Sequence, residues 1–109
     1  MTDLKIPFPF EVTKAARELG ENVRIARKRR RLRQVELAQK VGVTEKTLRR
    51  LEGGDAGVSI GTVLSVLWAL GLLSNVKMLA DPDRDAHGKT LELARLPKRV
   101  RHSFPSNDF

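Results

Sequence analysis

The chain has no cysteine. That excludes a disulfide framework and thiolate chemistry, and it suits a reducing compartment. No apolar run approaches the ~20 residues of a membrane span. The opening M-T-D-L-K-I-P-F-P-F lacks the order of a signal peptide. Histidine is scarce: His87 and His102 are the only two, and neither stands in metal-ligand or nucleophile-activating spacing. No catalytic constellation, internal repeat or strand signal is visible. Enzyme activity is therefore the least expected class, with no cofactor and no metal. With 109 residues there is room for one domain with one modest core.

What the chain has is positive charge, unevenly placed. The whole sequence carries +8. Residues 22–50 hold eleven Lys or Arg against two acids, Glu36 and Glu45, a net +9, so the remainder nets −1. Such a field suits a phosphate backbone. The run R-K-R-R-R at 27–31 also fits a solvated face or a nuclear localisation run.

The segment Gln34 to Leu51 gives the charge a purpose. It reads Q-V-E-L-A-Q-K-V-G-V-T-E-K-T-L-R-R-L. Leu37, Ala38 and Val41 recur at helical intervals and form the inner face of one short helix. Gly42 falls where the chain turns, in a backbone conformation that penalises a Cβ. Val43 plugs the corner, Thr44 is a good N-cap, and Leu48 and Leu51 face inward from a second helix. Glu45, Lys46, Arg49 and Arg50 are left facing outward. Gly53 and Gly54 stop that helix. This is the pattern of a helix-turn-helix that places its second helix in the major groove. An ordinary helical hairpin is the bland alternative.

The remaining segments complete an all-α architecture, a compact bundle of about five helices. Residues 1–10 form an extended arm, because Pro7 and Pro9 disfavour helix. Phe8 and Phe10 either dock or belong to a disordered tail. A first helix is expected over Glu11–Arg31, with Val12, Ala16, Leu19, Val23 and Ala26 in one stripe. Gly20 weakens that helix by about 1 kcal/mol relative to alanine, with a bend or break expected there. Leu32 is expected to be buried in the link.

A fourth helix is expected over Ile60–Leu70 behind Ser59. It is apolar all round, so it must be covered on more than one side. Val63, Leu67, Trp68 and Leu70 are its candidate dimer or partner surface; a well-buried core helix is the other reading. A short helix over Ser74–Ala80 and a last one over Asp85–Leu93 follow. The expected domains are an arm at 1–10, a DNA-binding domain at 11–80 and an extension at 81–109 with a basic tail, K-R-V-R at 98–101.

The pattern Q-x-x-L-A-x-x-x-G-V-T-x-x-T-L-x-x-L-E-x-G at Gln34–Gly54 resembles the helix-turn-helix of the Cro-type phage-repressor (XRE) family. The resemblance covers about residues 18–80. More narrowly, L-G-E-N-V-R-I-A-R-K-R-R, G-D-A-G-V-S-I-G-T-V-L, L-W-A-L-G-L and L-P-K-R-V-R are similar to HipB-type antitoxins. That resemblance implies a dimer that represses its own operon at a palindromic operator and binds a HipA-type serine/threonine kinase toxin. The implied location is the bacterial cytoplasm, on the nucleoid, with no membrane association.

The resemblance also assigns residues. Gln34 contacts phosphate, and Thr44, Glu45 and Lys46 sit at the bases and nearby backbone. Thr47 belongs to the same DNA-facing set. Arg50, a turn later, reads the groove or a phosphate; Arg49 meets phosphate or solvent. Arg27 and Glu52 match a family ion pair and are expected to hold the recognition helix at its angle. Two positions depart from the family. Arg33 stands where Thr or Ser usually caps the helix, which leaves a looser start or a phosphate contact. Glu45 puts a carboxylate on the DNA face, where it accepts from a cytosine amino group or serves the helix dipole.

Two motifs are decoys. Gly88-Lys89-Thr90 lacks the glycine a phosphate loop needs, since Asp83 stands there. Asp81, Asp83, Asp85 and Glu92 match calcium-loop spacings, but Ala86 replaces the required glycine and Pro82 intrudes. Two other functions compete: a stand-alone regulator with no toxin, and a purely protein-binding inhibitor whose basic face meets an acidic partner.

Overall fold

A computed structural model describes residues 7–97. Among them are five α-helices and no strand: α1 (Phe10–Arg29), α2 (Gln34–Val41), α3 (Glu45–Glu52), α4 (Ile60–Ala69) and α5 (Ala86–Arg95). Short 3-10 turns cover Leu73–Met78 and Pro82–Arg84. The architecture is all-α. The chain divides into one compact unit ending at Val76 and another beginning at Lys77, a little ahead of the boundary expected after residue 80.

The first unit is built around α3, which packs against both α1 and α2, while α2 also packs against α4. Leu37, Leu48, Val23 and Val66 are fully buried at the centre. Ala26, Ala38, Leu51 and Leu70 complete the core, with Leu32, Val43 and Val58 packed at its edge. The small Ala38 is buried in α2, where a larger side chain would hold the packed helices apart.

Each of the first four helices ends in the same way. A residue one or two past the end donates to the carbonyl three residues before it, and the next residue donates to the carbonyl five before it. After α1 these are Arg31 to Lys28 and Leu32 to Arg27; after α2, Gly42 to Gln39 and Val43 to Ala38. After α3 they are Gly54 to Leu51 and Asp55 to Arg50; after α4, Gly71 to Trp68 and Leu72 to Leu67. The motif requires a left-handed residue, and Gly42 takes φ +76° as its place in the turn demands. Arg31 adopts φ +56° despite its side chain.

Three expectations need correction. Gly20 neither bends nor breaks α1. It is buried within a continuous helix, and a Cβ there would collide with the carbonyl oxygen of Leu51 and lie 2.7 Å from that of Glu52. Its smallness lets α1 lie directly on the end of α3. The start of α2 is also firmer than expected: Glu36 Oε1 accepts from the Arg33 N–H at 2.7 Å, half of a reciprocal capping box. Arg33 cannot supply the other half, because a guanidinium has no acceptor.

The third correction concerns α4, which is not exposed where expected. Leu70 is buried at 3% exposure, and Val63 and Leu67 pack against the core. Of the expected surface residues only Trp68 stands well out, at 63%, with Ile60 at 72% one end of the same row and half-buried Leu64 between. The stripe of α1 is partial too, since Val12 is exposed.

In the second unit Asp81 and Asp85 act as caps rather than ligands: Asp81 Oδ1 accepts from the Asp83 N–H and Asp85 Oδ1 from the Gly88 N–H. His87 is exposed. Leu79, Leu91, Leu93 and Leu96 are all exposed. His102 and the basic run at 98–101 lie outside the described residues, as does most of the N-terminal arm; its Phe8 and Phe10 are exposed. Among the described residues no helix is long and apolar enough to cross a membrane.

Candidate nucleic-acid interface

The outward face of α3 is fixed by what its inward face buries. Leu48, Leu51 and Glu52 are buried, which leaves Glu45, Lys46, Arg49 and Arg50 exposed. Thr44 starts the helix: its Oγ1 accepts from the Thr47 N–H at 3.1 Å and donates to Thr47 Oγ1 at 3.0 Å. Half-buried Thr47 is thereby drawn into the cap, while Thr44 remains exposed.

A buried network sets the angle of α3. Arg27 Nε donates to Glu52 Oε2 at 2.7 Å and Arg27 Nη2 to Glu52 Oε1 at 2.9 Å, a bidentate pair. Arg27 Nη1 also donates to the Leu32 carbonyl at 2.8 Å, tying the α1–α2 link to the same point. The Glu52 carboxylate holds the guanidinium above its ordinary pKa, against the opposing effect of burial. Gln34 Nε2 donates to Glu52 Oε1 at 2.9 Å. The first residue of α2 and the last of α3 are thus joined through one carboxylate, and all buried side-chain polar atoms among the described residues have partners.

The exposed cations fall into two groups. Lys46 has no ion-pair partner among the described residues. Arg33, Arg49 and Arg50 each lie beside a carboxylate. Arg49 Nη1 lies 3.6 Å from Glu45 Oε2 one turn earlier, so Glu45 serves both the helix dipole and a neighbouring arginine. Arg33 Nη2 lies 3.6 Å from Glu36 Oε2, with most of its side chain in solvent. Hydrogen bonding from the Arg33 N–H holds the Glu36 carboxyl below the usual carboxylate range. At the end of α1, Lys28, Arg29, Arg30 and Arg31 are exposed, and Arg30 Nη1 donates to the Ala26 carbonyl. Cations there also complement the helix dipole.

Sequence reasoning missed Asp55. Its Oδ2 accepts from Arg50 Nε at 2.7 Å and its Oδ1 from the Gly57 N–H at 2.7 Å. The Arg50 and Gly57 donors hold its carboxyl below the usual range. The available signal was an acid directly after the Gly53-Gly54 stop, five residues from an exposed arginine.

The arrangement is a rigidly seated helix that offers cations to solvent. Comparison with known proteins agrees in kind. The family described as "Helix-turn-helix domain" matches residues 18–77. An uncharacterized HTH-type transcriptional regulator, y4mF, of Sinorhizobium fredii is 41% identical over 71 residues, which cover 65% of this chain and 91% of that protein. No solved structure matches the chain significantly. The matched segment contains the Arg27–Glu52 pair, both helices of the motif and the exposed cations of α3, and by it the chain belongs to the helix-turn-helix domain family.

Proposed function

We propose that the chain is a sequence-specific DNA-binding repressor of its own operon and the antitoxin of a HipA-type kinase toxin. The observation that carries the DNA-binding reading is α3 itself, locked by Arg27, Glu52 and Gln34 while its outward side chains stay in solvent. In this reading residues 11–80 bind DNA. Lys46 and Arg50 read bases, Arg49, Arg33 and Gln34 meet phosphates, and Thr44, Glu45 and Thr47 line the helix start. The relative's name as a transcriptional regulator supports the regulatory part.

The antitoxin part rests on the similarity of several sequence phrases to HipB-type proteins. A homodimer on a palindromic operator follows from the same similarity. The exposed row of α4, Ile60 and Trp68 with Leu64, offers apolar surface for the second copy or for the kinase. The site of action is the bacterial cytoplasm. The alternative reading is a stand-alone regulator with no toxin.

A titration at fixed salt tests the first part, using the DNA upstream of its own gene against a shuffled duplex. Preference of about a thousandfold or more is expected, with affinity falling as salt rises. Equal weak binding to both duplexes would overturn it. Co-purification with a kinase encoded next door separates the antitoxin from the stand-alone regulator.

A further inference from the structure

The end of α3 carries a charged pair that helix termination does not require. In the motif that ends each of the first four helices, the residue making the longer bond normally makes an apolar contact with the residue whose carbonyl it reaches. Those positions are Leu32 and Arg27 after α1, Val43 and Ala38 after α2, and Leu72 and Leu67 after α4. After α3 they are Asp55 and Arg50. The same backbone bonds form in all four places, and only after α3 are both positions charged, so that pair of charges serves something else.

Asp55 is tied at every polar atom. Its N–H donates to the Arg50 carbonyl at 3.0 Å, and its own carbonyl accepts from the Val58 N–H at 3.4 Å. One carboxylate oxygen takes the Gly57 N–H, closing a short turn that aspartate reaches and the longer glutamate does not. The other takes Arg50 Nε. Gly57 leaves room for this, because a Cβ there would stand 3.2 Å from Asp55 Oδ1. Arg50 is therefore gripped at Nε, while Nη1 and Nη2 have no hydrogen-bond partner among the described residues.

We propose that Asp55 is a positioning residue for DNA readout: it holds the Arg50 fork toward one base pair and away from neighbouring phosphates. This rests on the reading of Arg50 as a base contact. An unheld arginine reaches phosphate as easily as a base, and phosphate contacts carry no sequence information. A held one presents two terminal nitrogens in the geometry that matches guanine O6 and N7. An acid beside the DNA face weakens attraction to the backbone. A helix that only gripped phosphate would gain from its removal.

The test uses the full chain and duplexes selected from a random-sequence pool by the unaltered protein. Single-base-pair variants of the selected duplex then give the preference at each position. Arg50→Ala identifies the base pair that Arg50 reads. Asp55→Asn keeps the acceptor for Gly57 and removes the charge that holds Arg50. It is expected to lose about three- to tenfold of the preference at that same base pair, with binding to shuffled DNA equal or tighter. In the Arg50→Ala background, Asp55→Asn is expected to change that preference no further.

An even loss of affinity with preference intact would overturn the proposal, as would an equal effect of Asp55→Asn with and without Arg50. If Arg50→Ala weakens all duplexes alike, the base-contact reading falls, and the positioning role falls with it. Asp55→Ser, whose hydroxyl also accepts from the Gly57 amide, repeats the test should the asparagine variant fold poorly.

Discussion

Arg27 and Glu52 join the first helix to the end of the recognition helix through two parallel hydrogen bonds, at 2.7 and 2.9 Å, inside the core. The side chains are 9% and 3% exposed. Removing one partner leaves the other charge buried, a cost of about 3–5 kcal/mol, whereas replacing both by apolar groups costs far less. Arg27→Met and Glu52→Leu should each be strongly destabilising in denaturant titrations, and the double variant less so than the worse single one. Simple additivity would sink this account, because it would mean the two residues do not act as a unit.

Gly20 sits where α1 crosses the carbonyls of Leu51 and Glu52. On helix propensity alone Gly20→Ala should stabilise by up to about 1 kcal/mol. The collision is with backbone, which cannot swing aside, and overpacking of this kind costs about 1–3 kcal/mol. The net expectation is a lower melting temperature and weaker DNA binding, since α3 must shift to admit the methyl group. A rise in melting temperature would show that α1 and α3 separate freely.

The parts of the fold that were legible in the sequence are those fixed by local chemistry. Gly42 and Thr44 mark a helix stop and a helix start by rules that need only neighbouring residues, and Leu37, Leu48 and Leu51 follow from periodicity. The role of Gly20 is not legible, because its neighbours come from another helix and the sequence shows only the loss of propensity. Leu70 is left between surface and core by periodicity, because a helix apolar all round has no polar face to orient it. The role of Asp55 is not legible either, because it depends on how the chain turns after α3. The outward cations of that helix were legible; their partners, Glu45 for Arg49 and Asp55 for Arg50, were only partly so.

Arg31 holds a left-handed conformation, φ +56°, at the end of α1, where the corresponding residues of the next three helices are glycines. Such a conformation costs a residue with a Cβ roughly 1–2 kcal/mol, partly offset by the greater freedom glycine has when unfolded. Arg31→Gly should therefore stabilise by about 0.5–1 kcal/mol, raising the melting temperature by a few degrees. If Arg31 also meets a phosphate, the same variant should bind DNA with a salt slope reduced by about one. A stability loss would mean that the guanidinium makes a compensating interaction.

Two solvent-accessible carboxylates set a pH dependence. Glu36 is held below the usual range chiefly by the Arg33 N–H, and Asp55 chiefly by Arg50 and then by the Gly57 N–H. A carboxyl whose folded pKa is depressed stabilises the fold fully above its unfolded pKa, and that contribution disappears as pH falls through the folded value. Stability should thus be maintained from neutrality down to about pH 5 and fall below about pH 4. Glu36→Gln combined with Asp55→Asn keeps an acceptor for the Arg33 and Gly57 N–H groups without a titrating proton, and gives up the acceptor for Arg50. The double variant should show a smaller drop between about pH 6 and about pH 3 than the unaltered chain, measured as the shift in denaturation midpoint. Equal drops in the two proteins would place the acid sensitivity in other carboxylates and remove both of these from the start of α2 and the loop after α3 as pH-dependent supports.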